Sequence, residues 1–496
     1  MIRHTITLQP LGKNLKVNDQ TPLIDLLHEF GVEFPCGGKG TCGKCKVRLL
    51  EGEIEVNEVH RKKMEQLGLP EEWRLACYSS CTSNITLEIE QFNHLILADE
   101  TEFDFCPRQG FGVAVDLGTT TLVTQLVDLK TACIMAVETL VNPQVKFGSD
   151  LISRVQASLD GHALEMTQMI RFAIGTMIRQ MLKNHSAGIQ KVVLVGNTVM
   201  QLIFSDCDVS PLSAYPFHTT NLGMKSFTPS ELNWNFSVSE SIIFYPSIGS
   251  FVGSDILAGI VATGLHQKDE YTALIDLGTN GEIVIGNRDR IVCASTAAGP
   301  AFEGANISMG MRAVTGAISS LRLENDQIEA TVIGNTSPKG ICGSALIDAV
   351  AIFRRLELVG IFGEINSGDE FIYLAGKVKL TQKDINEFQL AKAAIAAGLA
   401  ILANNLSIRL ADISELYIAG GFGNYINIDH VVETGMIELP AEIIHKRGNT
   451  ALIGAKMFLF SDHLNIYEIL AKTKLVNLEC DSSFQDIYVD KMLFLK

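Results

Sequence analysis

The sequence predicts an α/β chain in which a small α+β domain at the N-terminus precedes a much larger, two-lobed α/β domain. Three observations carry that expectation. Cysteines crowd one glycine-rich stretch near the start, an apolar strand ending in an aspartate and a hydroxyl-rich turn occurs twice, and 496 residues exceed what one hydrophobic core supports.

Composition bounds the function. Of all residues 47% are hydrophobic and 19% charged, the balance of a compact enzyme rather than a disordered chain. A net charge of −16 opposes an extended phosphate-binding surface, so no nucleic acid partner is expected. Residues 1–16 mix Arg3, His4, Lys13 and Lys16 with short apolar stretches and lack the apolar region of a signal peptide. No run of apolar residues is long enough for a membrane-spanning helix. The expectation is a cytoplasmic chain with no membrane partner. Eleven cysteines in such a chain point to metal ligation or core packing before a disulfide framework.

Residues 4–8 and 14–17 read as short strands around a turn at 11–14, with a helix next. Thr21 is its expected cap, Pro22 its first residue and Gly31 its stop, while Leu23, Leu26, Leu27 and Phe30 recur at helical spacing. Strand, turn, strand, helix is a β-grasp opening, and residues 1–92 are read as that domain. Within it stand Cys36, Cys42, Cys45 and Cys77, spaced C-x5-C-x2-C-x31-C. Three thiolates in one tight loop and a fourth from afar is the plant-type arrangement of a [2Fe-2S] cluster, although plant-type ferredoxins have x4 in the first gap. A zinc site is the rival, but its cysteines usually come as two short-spaced pairs. Gly37, Gly38, Gly40 and Gly43 let backbone N–H groups approach the sulfurs. The same glycines imitate G-x-G-x-x-G and most of a Walker A loop; Cys45 stands where the latter needs Ser or Thr, and no βαβ strand precedes either. Cys81 is read as a bystander.

A composition shift with Asp99, Glu100, Glu102, Asp104, Pro107 and Gly110 marks a linker, residues 93–110, and the large domain follows at 111–496. Phe111 to Leu117 is an apolar strand carrying Asp116 near its end, then the turn Gly118-Thr119-Thr120-Thr121 and a return strand from Leu122. Ala273 to Leu277 with Asp276, then Gly278-Thr279-Asn280-Gly281 and a strand from Ile283, repeats the pattern 160 residues later. Glycine lets amides approach phosphate oxygens, hydroxyls donate to them, and an aspartate at a strand end holds Mg²⁺, usually through water. One such turn is weak evidence, because acidic turns are common; two of them predict a clamp on a nucleoside triphosphate. A third strand runs into Gly420-Gly421-Phe422-Gly423, a seat for adenine or ribose. Helices opened by Gly253-Ser254-Asp255 and Asn449-Thr450-Ala451 carry small residues suited to a close crossing.

That order of phosphate loop, helix, phosphate loop, adenosine loop and helix resembles the superfamily of actin, heat-shock chaperones and sugar kinases, with its RNase H-like lobes. Joined to the cysteine loop, the chain resembles the reductive activators of corrinoid proteins, ferredoxin-containing ATPases that return cob(II)alamin to cob(I)alamin in anaerobic methyl transfer. Asn142-Pro143-Gln144, Phe147 to Asp150, Val195 to Thr198, Ala298 to Ala305 and Lys339 to Ser344 add to the likeness, and some of these are expected to line the partner surface. Longer members insert a further small domain before the first phosphate loop, for which residues 93–110 leave no room.

The resemblance implies ATP, Mg²⁺ and a [2Fe-2S] cluster as cofactors, a corrinoid protein of a methyltransferase system as partner, and an upstream reductant protein or ferredoxin; it leaves a homodimer open. Asp116 and Asp276 are the expected catalytic acids. Three rivals stay open: a metabolite kinase with a redox-sensing appendage, for which Asp255 or Glu282 is a candidate base; an activator of the radical-dehydratase type; and a nucleotide-regulated electron carrier without turnover. The second would share a cluster through cysteines of its ATP domain, whereas Cys207, Cys293, Cys342 and Cys480 are scattered and read as core residues.

Overall fold

The computed structural model describes residues 3–9, 13–27, 30, 32, 43, 45–89, 103, 105–183, 188–278, 280–296, 298–302, 304, 306–312, 316–325, 327–333, 337–366, 368, 370–420, 423, 425–460 and 465–494. In the N-terminal part, alternation along Arg3–Gln9 turns Ile6 and Leu8 inward. That strand pairs antiparallel with Lys13–Asn18 and parallel with Ile85–Glu88, which in turn pairs with Lys46–Glu51 and through it with Trp73–Leu75. The result is a five-stranded β-grasp sheet.

The helix after the second strand starts later than its cap signals suggest. Thr21 and Pro22 are not its cap and first turn but a two-residue strand opposite Cys81 and Ser80, and the helix is Ile24–Leu27. The cause is tertiary: Gln20 N–H donates to Cys81 O and Leu23 N–H to Ser79 O, so the chain is drawn into pairing before it can coil. Gly31 lies outside the described residues.

The large part holds two sheets of matching topology. In the first, Thr121–Asp128 lies between Ile134–Val141 and Phe111–Leu117, which continues in parallel to Ile189–Gly196 and Val238–Phe244. In the second, Gly281–Gly286 lies between Ile291–Thr296 and Tyr271–Leu277, which continues in parallel to Ile413–Ala419 and Ile444–Gly448. The parallel strands are almost continuously apolar, as strands covered on both faces must be. Each hairpin therefore delivers its acidic turn from the same place in its lobe.

Between the lobes the helices Ser254–Ala262 and Thr450–Phe460 cross, with Ala114, Val193, Leu274 and Ala419 from the two sheets buried against them. The crossing is close because of glycine: a Cβ at Gly454 would run into the Ala258 carbonyl, and one at Gly259 would lie 2.8 Å from Leu274 Cδ2. The end of the expected linker is fastened to this pair. The Phe103 and Phe105 rings sit 5.5 and 4.9 Å from that of Phe460, Arg108 N–H donates to Leu129 O, and the Arg108 guanidinium donates to Leu459 O.

Helix Gln382–Leu406, set by a Thr381/Asp384 capping box, is the one described helix long and apolar enough to cross a membrane; most of it is buried in the second lobe. Of the four cysteines expected in cores, Cys293 and Cys342 are buried and Cys207 is half-buried. Cys480 is exposed, because it ends the short surface turn Leu478–Cys480.

The helix crossing yields a prediction. Gly454→Ala should cost about 1–3 kcal/mol of stability through overpacking, read as a lower urea midpoint. An unchanged midpoint would show that the crossing has slack.

Candidate iron–sulfur and nucleotide sites

Cys45 immediately precedes Lys46–Glu51, and Cys77 lies in the turn Ala76–Tyr78 that follows Trp73–Leu75. Those strands pair with Lys46 opposite Leu75, and Ala76 N–H donates to Cys45 O at 2.9 Å. The register brings the two Sγ atoms to 3.3 Å. A disulfide requires about 2.05 Å. Two thiolates on one tetrahedral metal, each about 2.3 Å from it, lie about 3.8 Å apart, so a slight opening of this pair fits two ligands of one iron. Cys36 and Cys42 lie outside the described residues.

Cys81 is different. Its side chain is fully buried in the domain core, its Sγ donates to Ser83 O, and burial pushes its thiol above the usual range. A ligating cysteine needs the opposite shift. His60, which the motif reading missed, supports the Cys77 turn: Nε2 accepts from Leu75 N–H at 3.0 Å and the ring stacks on Tyr78. Burial, and then Arg74, hold its pKa below the usual value, so the acceptor form persists. The contact is carried by tertiary packing, which no spacing rule in the sequence marks.

The two hairpins bring their carboxylates to one cleft. Burial pushes Asp116 up to about 6, offset in part by the amide Nδ2 of Asn449, which donates to its Oδ2 at 2.7 Å. Burial raises Asp276 to about 7, helped by the charges of Asp255 and Asp116. Asp255, in the first turn of helix Ser254–Ala262, is likewise raised to about 7, first by burial and also by Asp116. Glu282, opposite Asp276 in the hairpin register and bonded by Ser295 Oγ, is raised well above its usual value by burial, Asp255 and Asp276. Like charges so placed call for a cation. Among the described residues no group of three or more His, Cys, Asp or Glu side chains is arranged to hold an ion directly.

The turns themselves are braced. Asn197 Nδ2 donates to Thr119 Oγ1 at 2.9 Å, and Thr120 and Thr121 are half-buried at the head of the return strand. In the second turn Gly278 N–H donates to Asn280 O, and Gly281 starts the return strand; Thr279 lies outside the described residues. Gly420 has φ +90, and a Cβ there would meet Leu277 O and lie 2.9 Å from Asp276 Oδ1. Gly420 therefore sits directly on the second acidic turn, a closeness only glycine permits. Gly423 N–H donates to Gly420 O; Gly421 lies outside the described residues.

Sequence reasoning assigned no site role to Asn449, which also caps its helix through Leu452 N–H. Many residues of the motif-like stretches expected to include partner-facing positions are interior, while Lys339 among them is exposed. Asn142, Gln144, Thr198, Ile341, Cys342 and Ser344 are buried, with Asn142 donating to Gly118 O beneath the first acidic turn.

Three family descriptions match this chain: a 2Fe-2S iron-sulfur cluster binding domain over residues 6–82, the RACo middle region over 111–268, and the C-terminal ASKHA domain of RACo over 270–496. The chain is 29% identical to the corrinoid activation enzyme RamQ of Eubacterium limosum, with 98% of each chain covered. That alignment runs over 582 positions, more than this chain possesses, so the relative carries residues absent here. It is 27% identical to the [Co(II) methylated amine-specific corrinoid protein] reductase of Methanosarcina barkeri over 70% of this chain and 69% of the other. A solved structure, a reductive activator for corrinoid,iron-sulfur protein, superposes with a TM-score of 0.69 at 27% identity, covering 99% of this chain and 98% of that one.

Two predictions arise from these sites. Cys45→Ser and Cys77→Ser should each lose or alter the visible absorption and reduced-state EPR of the cluster, while Cys81→Ser keeps both; the reverse pattern at Cys77 and Cys81 would reassign the fourth ligand. The raised carboxyls fix the sign of a pH effect. A native Asp276 titrating at about 7 retains a proton that an unfolded one, near 3.9, has lost, so the nucleotide-free protein loses stability as pH rises from about 4 to about 7. Mg-nucleotide needs the charged forms, so its binding should release protons and tighten with pH up to about 7, by about tenfold per unit for each proton released. Calorimetry in buffers of different ionisation enthalpy measures this; no proton release at pH 6 would reject the carboxylate cleft as the cation site.

Proposed function

We propose, from the premise that this chain belongs to the family of reductive activators of corrinoid proteins, that it uses ATP to drive one-electron reduction of a corrinoid protein from Co(II) to Co(I) in a methyltransferase system. One observation carries the reading: a single chain joins a paired-thiolate site, with Cys45 and Cys77 Sγ at 3.3 Å, to a cleft of mutually repelling carboxylates between two duplicated hairpins. Its working parts are residues 1–92, the linker 93–110 and the ATPase 111–496.

A [2Fe-2S] cluster held by Cys36, Cys42, Cys45 and Cys77 supplies one-electron chemistry when bound, renewed by an upstream reductant protein or ferredoxin. Asp116 and Asp276 hold the waters of Mg²⁺, with Asn449 fixing the first carboxylate. Gly118, Thr119, Thr120 and Thr121 face the phosphates from one lobe, and Gly278, Thr279, Asn280 and Gly281 from the other. Gly420, Gly421 and Gly423 seat the adenosine. Glu282, opposite Asp276 in the hairpin register, is our candidate to take a proton from the attacking water once it is ionised. Closing the lobes on nucleotide brings the two hairpins' carboxylates closer, so the closed state is favoured only while cation and phosphates are held. A partner that prefers the closed form shifts its population, and one that binds both forms equally shifts nothing. A homodimer is compatible with this scheme, and a cytoplasmic location keeps the thiolates in a reducing compartment.

ATP hydrolysis should accordingly be slow alone and stimulated by a corrinoid protein in the Co(II) state, but not by its methyl-Co(III) form. Asp116→Asn and Asp276→Asn should abolish the stimulated rate while the cluster's absorption persists. Anoxic hydrolysis assays with optical detection of cob(I)alamin decide the matter. Strong stimulation by a small hydroxylated metabolite, with no Co(I) formed from any candidate, would replace this reading with a kinase.

A further inference from the structure

One short segment, Val141 to Gly148, touches both functional parts of the molecule. On one side it grips the first phosphate turn. Asn142 Nδ2 donates to Gly118 O at 2.9 Å, Asn142 N–H donates to Thr120 O at 2.8 Å, and Val141 pairs with Thr121 in the sheet. The intervening carbonyl, Thr119 O, accepts from the buried guanidinium of Arg154, which also donates to Gly148 O and Gln144 Oε1. Three consecutive carbonyls of the turn are thus tied to this segment or to the arginine that braces it.

On its other side the segment belongs to the N-terminal domain's core. Val141 and Val145 are buried in the same hydrophobic cluster as Leu23, Leu27 and Cys45. Lys146 Nζ lies 3.7 Å from Asp25 Oδ1 in helix Ile24–Leu27 and 2.7 Å from Glu165 Oε1 in the ATPase. Pro143 follows Asn142, and the residues from Pro143 to Phe147 form one 3₁₀ turn capped by Asn142, so the two sides are joined by a short, hydrogen-bonded piece rather than an open loop.

We propose that Val141–Gly148 is the coupling element through which phosphate binding at Gly118–Thr121 changes how the iron–sulfur domain is held on the ATPase. Asn142 and Arg154 act as positioning residues on the nucleotide side, Val145 and Lys146 on the iron–sulfur side. A displacement of the turn carbonyls moves Asn142, and Val145 and Lys146 lie three and four residues further on in the same turn. Linkage makes the effect reciprocal: release of the iron–sulfur domain must alter nucleotide affinity by the same factor. The inference rests on the assignment of the Gly118–Thr121 turn to nucleotide phosphates, and the test separates the two.

Hydrogen exchange is measured by mass spectrometry on the full, cluster-loaded chain, with and without Mg²⁺ and a non-hydrolysable ATP analogue. Slowed exchange over 111–128 supports the phosphate assignment. A simultaneous change over 13–27 of about fivefold or more, the lower end of ordinary allosteric coupling, supports the coupling element. In Val145→Ala/Lys146→Ala the analogue should still protect 111–128, but the response over 13–27 should vanish. Asp25→Ala, which cuts the ion pair from the other side, should weaken that response and serves where the double variant is unstable. Protection of 111–128 with no response over 13–27 in the unaltered protein overturns the coupling while sparing the nucleotide site. An unweakened response in the variants does the same, and no protection of 111–128 overturns the phosphate assignment itself.

Discussion

Asp116, Asp255, Asp276 and Glu282 are drawn from two lobes and four elements to one cleft, where their like charges make ionisation harder. Burying like charge is unfavourable unless something compensates, and here the compensation comes from outside the fold. Protons can meet part of that need, and on the proposed reading a hydrated divalent ion with its phosphates would meet the rest. The rest of the architecture answers to that requirement. Two sheets of the same topology present their acidic turns toward each other, and glycine at 259 and 454 allows the helices between the lobes to cross closely.

The cleft is also where the lobes are stitched together. Asn449 binds Asp116 of the first lobe while capping the helix that follows strand Ile444–Gly448 of the second. Gly420 places the end of strand Ile413–Ala419 against Asp276 without an intervening side chain. A ligand that shifts either carboxylate therefore acts on an interlobe helix and on a loop at once. No separate lever is needed to connect occupancy with lobe position.

Features whose signal is local could be read from the sequence. Both acidic turns, the glycine loop, the two small-residue helices and the first three cysteines each lie within a dozen residues, and the acidic turn repeats at a distance. What escaped was set by partners remote along the chain. Asn449 and Asp116 are 333 positions apart, and nothing near either one announces the other. Thr21 and Pro22 carry good helix-start chemistry, but pairing with Ser80 and Cys81 offers their backbone a better use. Asn142 and Arg154 are polar yet fully buried, because they donate to the carbonyls of Gly118 and Thr119 in the first acidic turn, a pairing no local signal marks.

The fastening of Phe103 and Phe105 beside Phe460 also sets a length. The strand Ile85–Glu88 closes the N-terminal sheet, and the fourteen residue steps from Ile89 to Phe103 have a covalent reach of at most roughly 45–50 Å. A domain joined within that reach never becomes a freely diffusing carrier. Its local concentration at the ATPase surface stays in the millimolar range that short linkers impose, whatever the dilution of the protein in the cell. A partner docked within that radius meets its electron donor by intramolecular search, so delivery depends on how the domain is released and not on how often two molecules collide.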